Sequence, residues 1–227
     1  MMSRFAFLLA LGATFLQGAA TCPGHGNADT MLVSASWLAT HLKDPGLVVI
    51  GVGPKAEFDK GHIPGSVSLE LNEVGAKNSK LSLELPTMPE LAETFGGLGV
   101  TNTSRVILYL IGSSVQSVTR VFWTLDAMGL GKNAALLDGG LAAWKGATTT
   151  EATTVTKGTL EPCPQTDVLA DMEFVGSNMR HPGVDIVDAR TAPFYTGQQV
   201  PVRQRAGHIT GAINIPYDSL IDETGQF

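Results

Sequence analysis

Short unbroken runs of apolar residues alternate along this chain with segments whose apolar positions recur every three or four residues. The run LVVIGV (residues 47–52) shows no polar alternation, the mark of a strand covered on both faces. VSLEL (67–71), RVILYL (105–110) and AALLD (134–138) read as further strands. Ahead of the first run, Trp37, Leu38 and Leu42 form one apolar helical stripe. Ser34 stands where its side chain can accept from the orphan N–H groups of that helix. Thr87 with Glu90 makes a capping box before the apolar stretch 91–95. Val115, Val118, Phe122, Leu125 and Met128 recur at helical spacing, and Gly129 and Gly131 end that helix. Gly139-Gly140 turns into a last helix carrying Trp144. Strands that alternate with helices predict an α/β fold, a mostly parallel sheet covered by helices on both faces.

The pattern then begins again. A shift of 137 residues sets Leu32 on Leu169, Ser34 on Asp171, Trp37 on Phe174, Leu38 on Val175, Leu42 on Met179 and Pro45-Gly46 on Pro182-Gly183. The loop GHIPGS (61–66) returns as GHITGA (207–212), now 146 residues on, so the second copy holds nine extra residues (146 minus 137) within 197–205. Residues 148–167 are rich in Thr and Pro and lack periodicity, and read as a linker. The expected organisation is a first domain at 31–147, the linker at 148–167, and the front half of a second domain at 168–227. Its later strands and covering helices are missing, so this part should expose a sheet edge and an apolar face.

Composition and charge narrow the class. Hydrophobic residues make up 44% of the 227, enough for a core, and the net charge of −6 argues against a nucleic-acid partner. The N-terminus carries one positive charge, an apolar run at 5–16 and small residues at 18–20, the layout of a secretory signal peptide over 1–20. The expected location is therefore periplasmic or secreted, with membrane attachment only if Cys22 is lipidated. Neither Cys22 nor Cys163 is read as a nucleophile, and Cys163 lacks a neighbouring His or Gly-rich loop. They are expected to be unpaired or surface thiols without a catalytic role; in an oxidising compartment a bridge between them stays open. No metal-ligand cluster or phosphate-loop motif appears in the sequence, and no cofactor is expected.

Four phrases in order, GHIPGS (61–66), LDGGLAAW (137–144), IVDAR (186–190) and GHITGAINIP (207–216), resemble the rhodanese family of sulfurtransferases in its tandem two-domain form. The resemblance implies two rhodanese-like domains and one nucleophilic cysteine. Its thiolate takes the outer sulfur of a donor such as thiosulfate and passes it to a thiol or cyanide acceptor. A thiolate at a strand–loop–helix junction is stabilised by backbone N–H groups and the helix dipole. In the first copy that position is Leu110, which no chemistry of this kind can use and which also argues against a cysteine-phosphatase loop. Counting the same 48 residues (110 minus 62) beyond His208 places the second-copy position near residue 256, past Phe227. Asp188 and Arg190 match the family's DxR, and with Arg205 and His208 are the expected active-site support. The bare-residue alternatives are a structural Asp188–Arg190 ion pair and loop-ordering roles for His62 and His208. Some thiosulfate-using members carry an Arg four residues after the DxR arginine, where this chain has Phe194. A non-catalytic module of the same fold is the competing reading.

Overall fold

The structure is a computed structural model, and it describes residues 25–26, 31–77, 79, 81, 83–201 and 205–227. The expected signal segment and Cys22 lie outside the described residues. Five strands build the main sheet: β1 (Leu32–Val33), β2 (Leu47–Val52), β3 (Val67–Leu69), β4 (Arg105–Leu110) and β5 (Ala134–Leu137). Their spatial order is β1-β5-β4-β2-β3 and every pairing is parallel. Each parallel step needs a crossover, and the helices α1 (Ala35–His41), α2 (Lys55–Phe58), α3 (Met88–Gly97) and α4 (Val115–Ala127) lie on the connections, while α5 (Gly140–Ala143) follows the last strand, β5.

Strand alternation explains why the runs lack polar residues. On one face Ile50, Val52, Val106, Leu108, Ala134 and Leu136 pack with Leu91 and Phe95 of α3 and with Val118, Val121 and Leu125 of α4. On the other, Val49, Ile107, Tyr109, Ala135 and Leu137 pack with Leu38 of α1, Phe58 and Ile63. Both faces are dry, so both side-chain parities must be apolar. The helix starts follow their sequence signals. Ser34 accepts from Trp37 N at 3.1 Å, and the Thr87–Glu90 box closes with Glu90 accepting from Thr87 N at 2.9 Å.

The segment 148–167 has no helix or strand before the 3₁₀ turn Thr166–Val168, in line with its missing periodicity, yet it is strapped to the sheet unit. Thr149 and His62 exchange backbone bonds of 2.9 Å in both directions. Gly158 N donates to Gly96 O, Asn102 clamps the backbone of Glu161 from both ends of its amide, and Leu160 enters the core. Cys163 N then donates to Met128 O and Gln165 N to Ala127 O. This close approach explains Gly129 at the end of α4: its φ of +84° is left-handed, and a Cβ there would sit 2.5 Å from Cys163 O.

Cys163 also corrects an expectation. It is disulfide-bonded, not an unpaired surface thiol. Local sequence left the bridge open without deciding it, because pairing depends on which segments the fold brings near the end of α4.

Beyond the strap, α6 (Met172–Asn178), β6 (Val187–Asp188), α7 (Ala192–Thr196) and β7 (Ile213–Asn214) form a smaller unit with a two-stranded parallel sheet. Val187, Ile213 and Ile215 are each about half exposed, whereas Ile50, the counterpart of Val187 in the first copy, is fully buried.

Candidate functional site

The smaller unit repeats the local geometry of the first. Asp171 caps α6 by accepting from Phe174 N, as Ser34 does from Trp37 N. The pairing Val187↔Ile213 matches Ile50↔Val67. Tyr195 stacks on His208 with ring centroids 3.7 Å apart, as Phe58 stacks on His62 at 3.8 Å. In each copy the histidine Nδ1 bonds the carbonyl of the stacked aromatic residue, at 2.8 Å for His208 with Tyr195 O and 3.0 Å for His62 with Phe58 O. These contacts use the histidines to hold the loop between the α7-type turn and the next strand.

The candidate site lies at the end of β6. Asp188 ends the strand, and Arg190 folds back onto it: Nε donates to Oδ1 at 3.0 Å, and one terminal nitrogen donates to Oδ2 at 2.5 Å and to Gly207 O at 2.7 Å. The Arg190 hydrogen bonds hold the Asp188 carboxyl below the usual carboxylate range, and Asp188 in turn raises the Arg190 guanidinium. Asp188, Arg190, Arg205 and His208 all line one cleft of about 650 Å³. The four predicted residues are thus brought together. Arg205 and His208 are exposed there, while Arg190 is half committed to Asp188 and Gly207.

Two residues escaped the sequence reading. Asn214 donates from its side-chain amide to both Asp188 O and Arg190 O at 2.8 Å, fixing the backbone of the DxR turn. Tyr195 donates its hydroxyl to Ala212 O at 2.8 Å and ties the GHITGA loop. Asn214 pairs with Asp188 in register, so the strand pairing alone would have located it.

The equivalent place in the first unit is filled. Gly51 and Gly53 stand where the second copy has Asp188 and Arg190. A Cβ on Gly51 would fall 2.7 Å from the Tyr109 hydroxyl, and one on Gly53 2.3 Å from Ile111 O. The loop after β4 runs into the start of α4 as a thiolate cradle would, but it opens on Leu110.

These features define a parallel α/β protein with polar side chains gathered at the end of β6 and glycines at the matching positions of β2. Residues 34–147 match the Rhodanese-like domain, and the chain belongs to the rhodanese family. It is 30% identical to the 3-mercaptopyruvate sulfurtransferase of Rattus norvegicus over 216 residues, covering 86% of this chain and 71% of that protein. It is 29% identical to a probable 3-mercaptopyruvate sulfurtransferase of Pseudomonas aeruginosa, covering 88% and 75%. With the thiosulfate sulfurtransferase of Gallus gallus the identity is 28%, covering 89% and 68%. Among solved structures, Escherichia coli SseA, a rhodanese-fold 3-mercaptopyruvate sulfotransferase, superposes with a TM-score of 0.78 at 27% identity, covering 87% of this chain and 79% of that one.

Proposed function

We propose that this chain is a rhodanese-type sulfurtransferase whose residues 168–227 begin a second rhodanese-like domain. Its nucleophile is a cysteine on the strand–loop–helix element of that domain, downstream of Phe227. The observation that carries the reading is the likeness to sulfurtransferases, which extends over 86% or more of the chain and so past the strap into the smaller unit. The geometry of the Asp188 cleft supports it, because a fixed carboxylate–guanidinium turn and an exposed Arg205 face one opening suited to a small anionic sulfur compound.

The chemistry has two balanced steps. The cysteine thiolate attacks the outer sulfur of thiosulfate, the S–S bond breaks, and sulfite leaves with the electron pair. The persulfide then gives its terminal sulfur to cyanide as thiocyanate, or to a thiol acceptor, and the thiolate is restored. The first unit serves as scaffold, with Leu110 at its nucleophile position. The pattern of residues 1–20 and disulfide-bonded Cys163 support an exported protein, since disulfides persist in oxidising compartments.

A thiocyanate-release assay tests the reading. Residues 1–227 should give no turnover with thiosulfate or 3-mercaptopyruvate, and joining the downstream segment should restore it. Turnover of residues 1–227 that disappears in Cys163→Ser would place the nucleophile wrongly. A full-length protein inactive with both donors would favour a non-catalytic module.

A further inference from the structure

The strap ends in a three-residue cluster that neither the fold nor the sulfur chemistry uses. We propose that His25 is a proton-operated clasp: as an imidazolium it grips Asp126 of α4 and Asp167 of the Thr166–Val168 turn together, and when it loses a proton the end of the strap is released. His25 Nδ1 lies 3.3 Å from Asp126 Oδ2, and Nε2 lies 3.0 Å from Asp167 Oδ2. Gly26 N donates to the other Asp126 oxygen at 3.0 Å, so the carboxylate is held from two sides.

The hydrogen-bond inventory makes this arrangement charge-dependent. A carboxylate only accepts, and a neutral imidazole has a single N–H. Both contacts are satisfied together only when both ring nitrogens carry protons. After deprotonation one carboxylate faces a lone pair, and the two negative charges are left without a cation between them. Lys132, on the adjoining turn Gly131–Asn133, makes no ion pair with any of the three among the described residues. The hydrogen bond to Asp167, followed by that to Asp126, raises the His25 pKa above 6.5. A raised folded-state value means that the clasp contributes its full stability at pH below 6.5 and loses it as pH rises through the folded value.

The clasp sits where release has a consequence. Asp167 follows Gln165, whose N–H donates to Ala127 O, and precedes Asp171, the cap of α6. The Cys163 disulfide lies just before this stretch, so the opening falls on residues 164–168, ahead of α6.

NMR titration of the whole chain with its disulfide intact decides the point. The His25 ring should titrate above 6.5, and the amide shifts of Gly26 and Gln165 should follow the same midpoint. Asp167→Asn should lower that midpoint, and the exchange protection of Gln165 in the unaltered chain should fall about tenfold across the titration for each unit of the difference. In His25→Gln the pH step at Gln165 should vanish while tryptophan fluorescence stays unchanged. A His25 midpoint insensitive to Asp167→Asn, or flat Gln165 protection through the His25 titration, would overturn the proposal.

Discussion

Tyr109→Phe probes the contact that fills the first unit's cleft. The Tyr109 hydroxyl is fully buried, pairs with Ser66 Oγ at 2.8 Å and accepts from Ile63 N at 3.3 Å. Removing one oxygen leaves two buried polar groups without that partner, since Ile63 is 0% and Ser66 1% exposed. An unsatisfied buried group costs about 1–3 kcal/mol, and the longer Ile63 contact belongs at the low end, so the expected loss is about 2–3 kcal/mol. Adding Ser66→Ala removes one of the two orphans and should return about 1 kcal/mol, a coupling that a double-mutant cycle reads directly. Urea unfolding followed by tryptophan fluorescence reports the first unit alone, because Trp37, Trp123 and Trp144 all lie in it. Burial also raises the Tyr109 pKa. An unfolded tyrosine ionises near pH ~10, so stability present below that value should fall as pH rises above it, and the part owed to this residue should be absent from Tyr109→Phe. A loss under about 0.5 kcal/mol, or a Ser66→Ala cost that simply adds, would refute the assignment of these two bonds.

Asp188 makes the opposite pH prediction. Its lowered pKa means that its contribution is present above the ordinary carboxylate value and lost as pH falls through the folded one. Exchange at the Ile215 and Tyr217 amides, which donate to Asp188 O and Ala189 O, should therefore accelerate in acid beyond the intrinsic trend, and Asp188→Asn should remove that excess. Mass spectrometry of the exported protein should give an N-terminus at Thr21 and show Cys163 alkylated only after reduction; alkylation without reduction would contradict the disulfide.

What was legible in the sequence was local or strictly repetitive. The buried strand runs, the Ser34 cap and the Thr87–Glu90 box each depend on residues a few positions apart, and the structure shows them in place. The parallel sheet was inferable because β-branched runs without polar alternation have to be covered on both faces. Asp188 and Arg190 were located by the resemblance of IVDAR to the family's DxR, since the 137-residue shift sets them on Gly51 and Gly53, which carry no such side chains.

Contacts between distant segments were decided by the tertiary structure. Tyr109 reads as one more apolar strand residue until Ile63 and Ser66 arrive at its hydroxyl from a loop more than 40 positions earlier. The aperiodic stretch 148–167 has no helix or strand ahead of its last turn to announce it, yet Asn102, Ala127 and Met128 bind its backbone. His25 gains two carboxylates from 101 and 142 positions away, and Cys163 its disulfide. Periodicity records which face of an element meets the core. It carries no information on which polar groups meet across the chain, because those meetings depend on the packing of whole elements and not on the spacing within them.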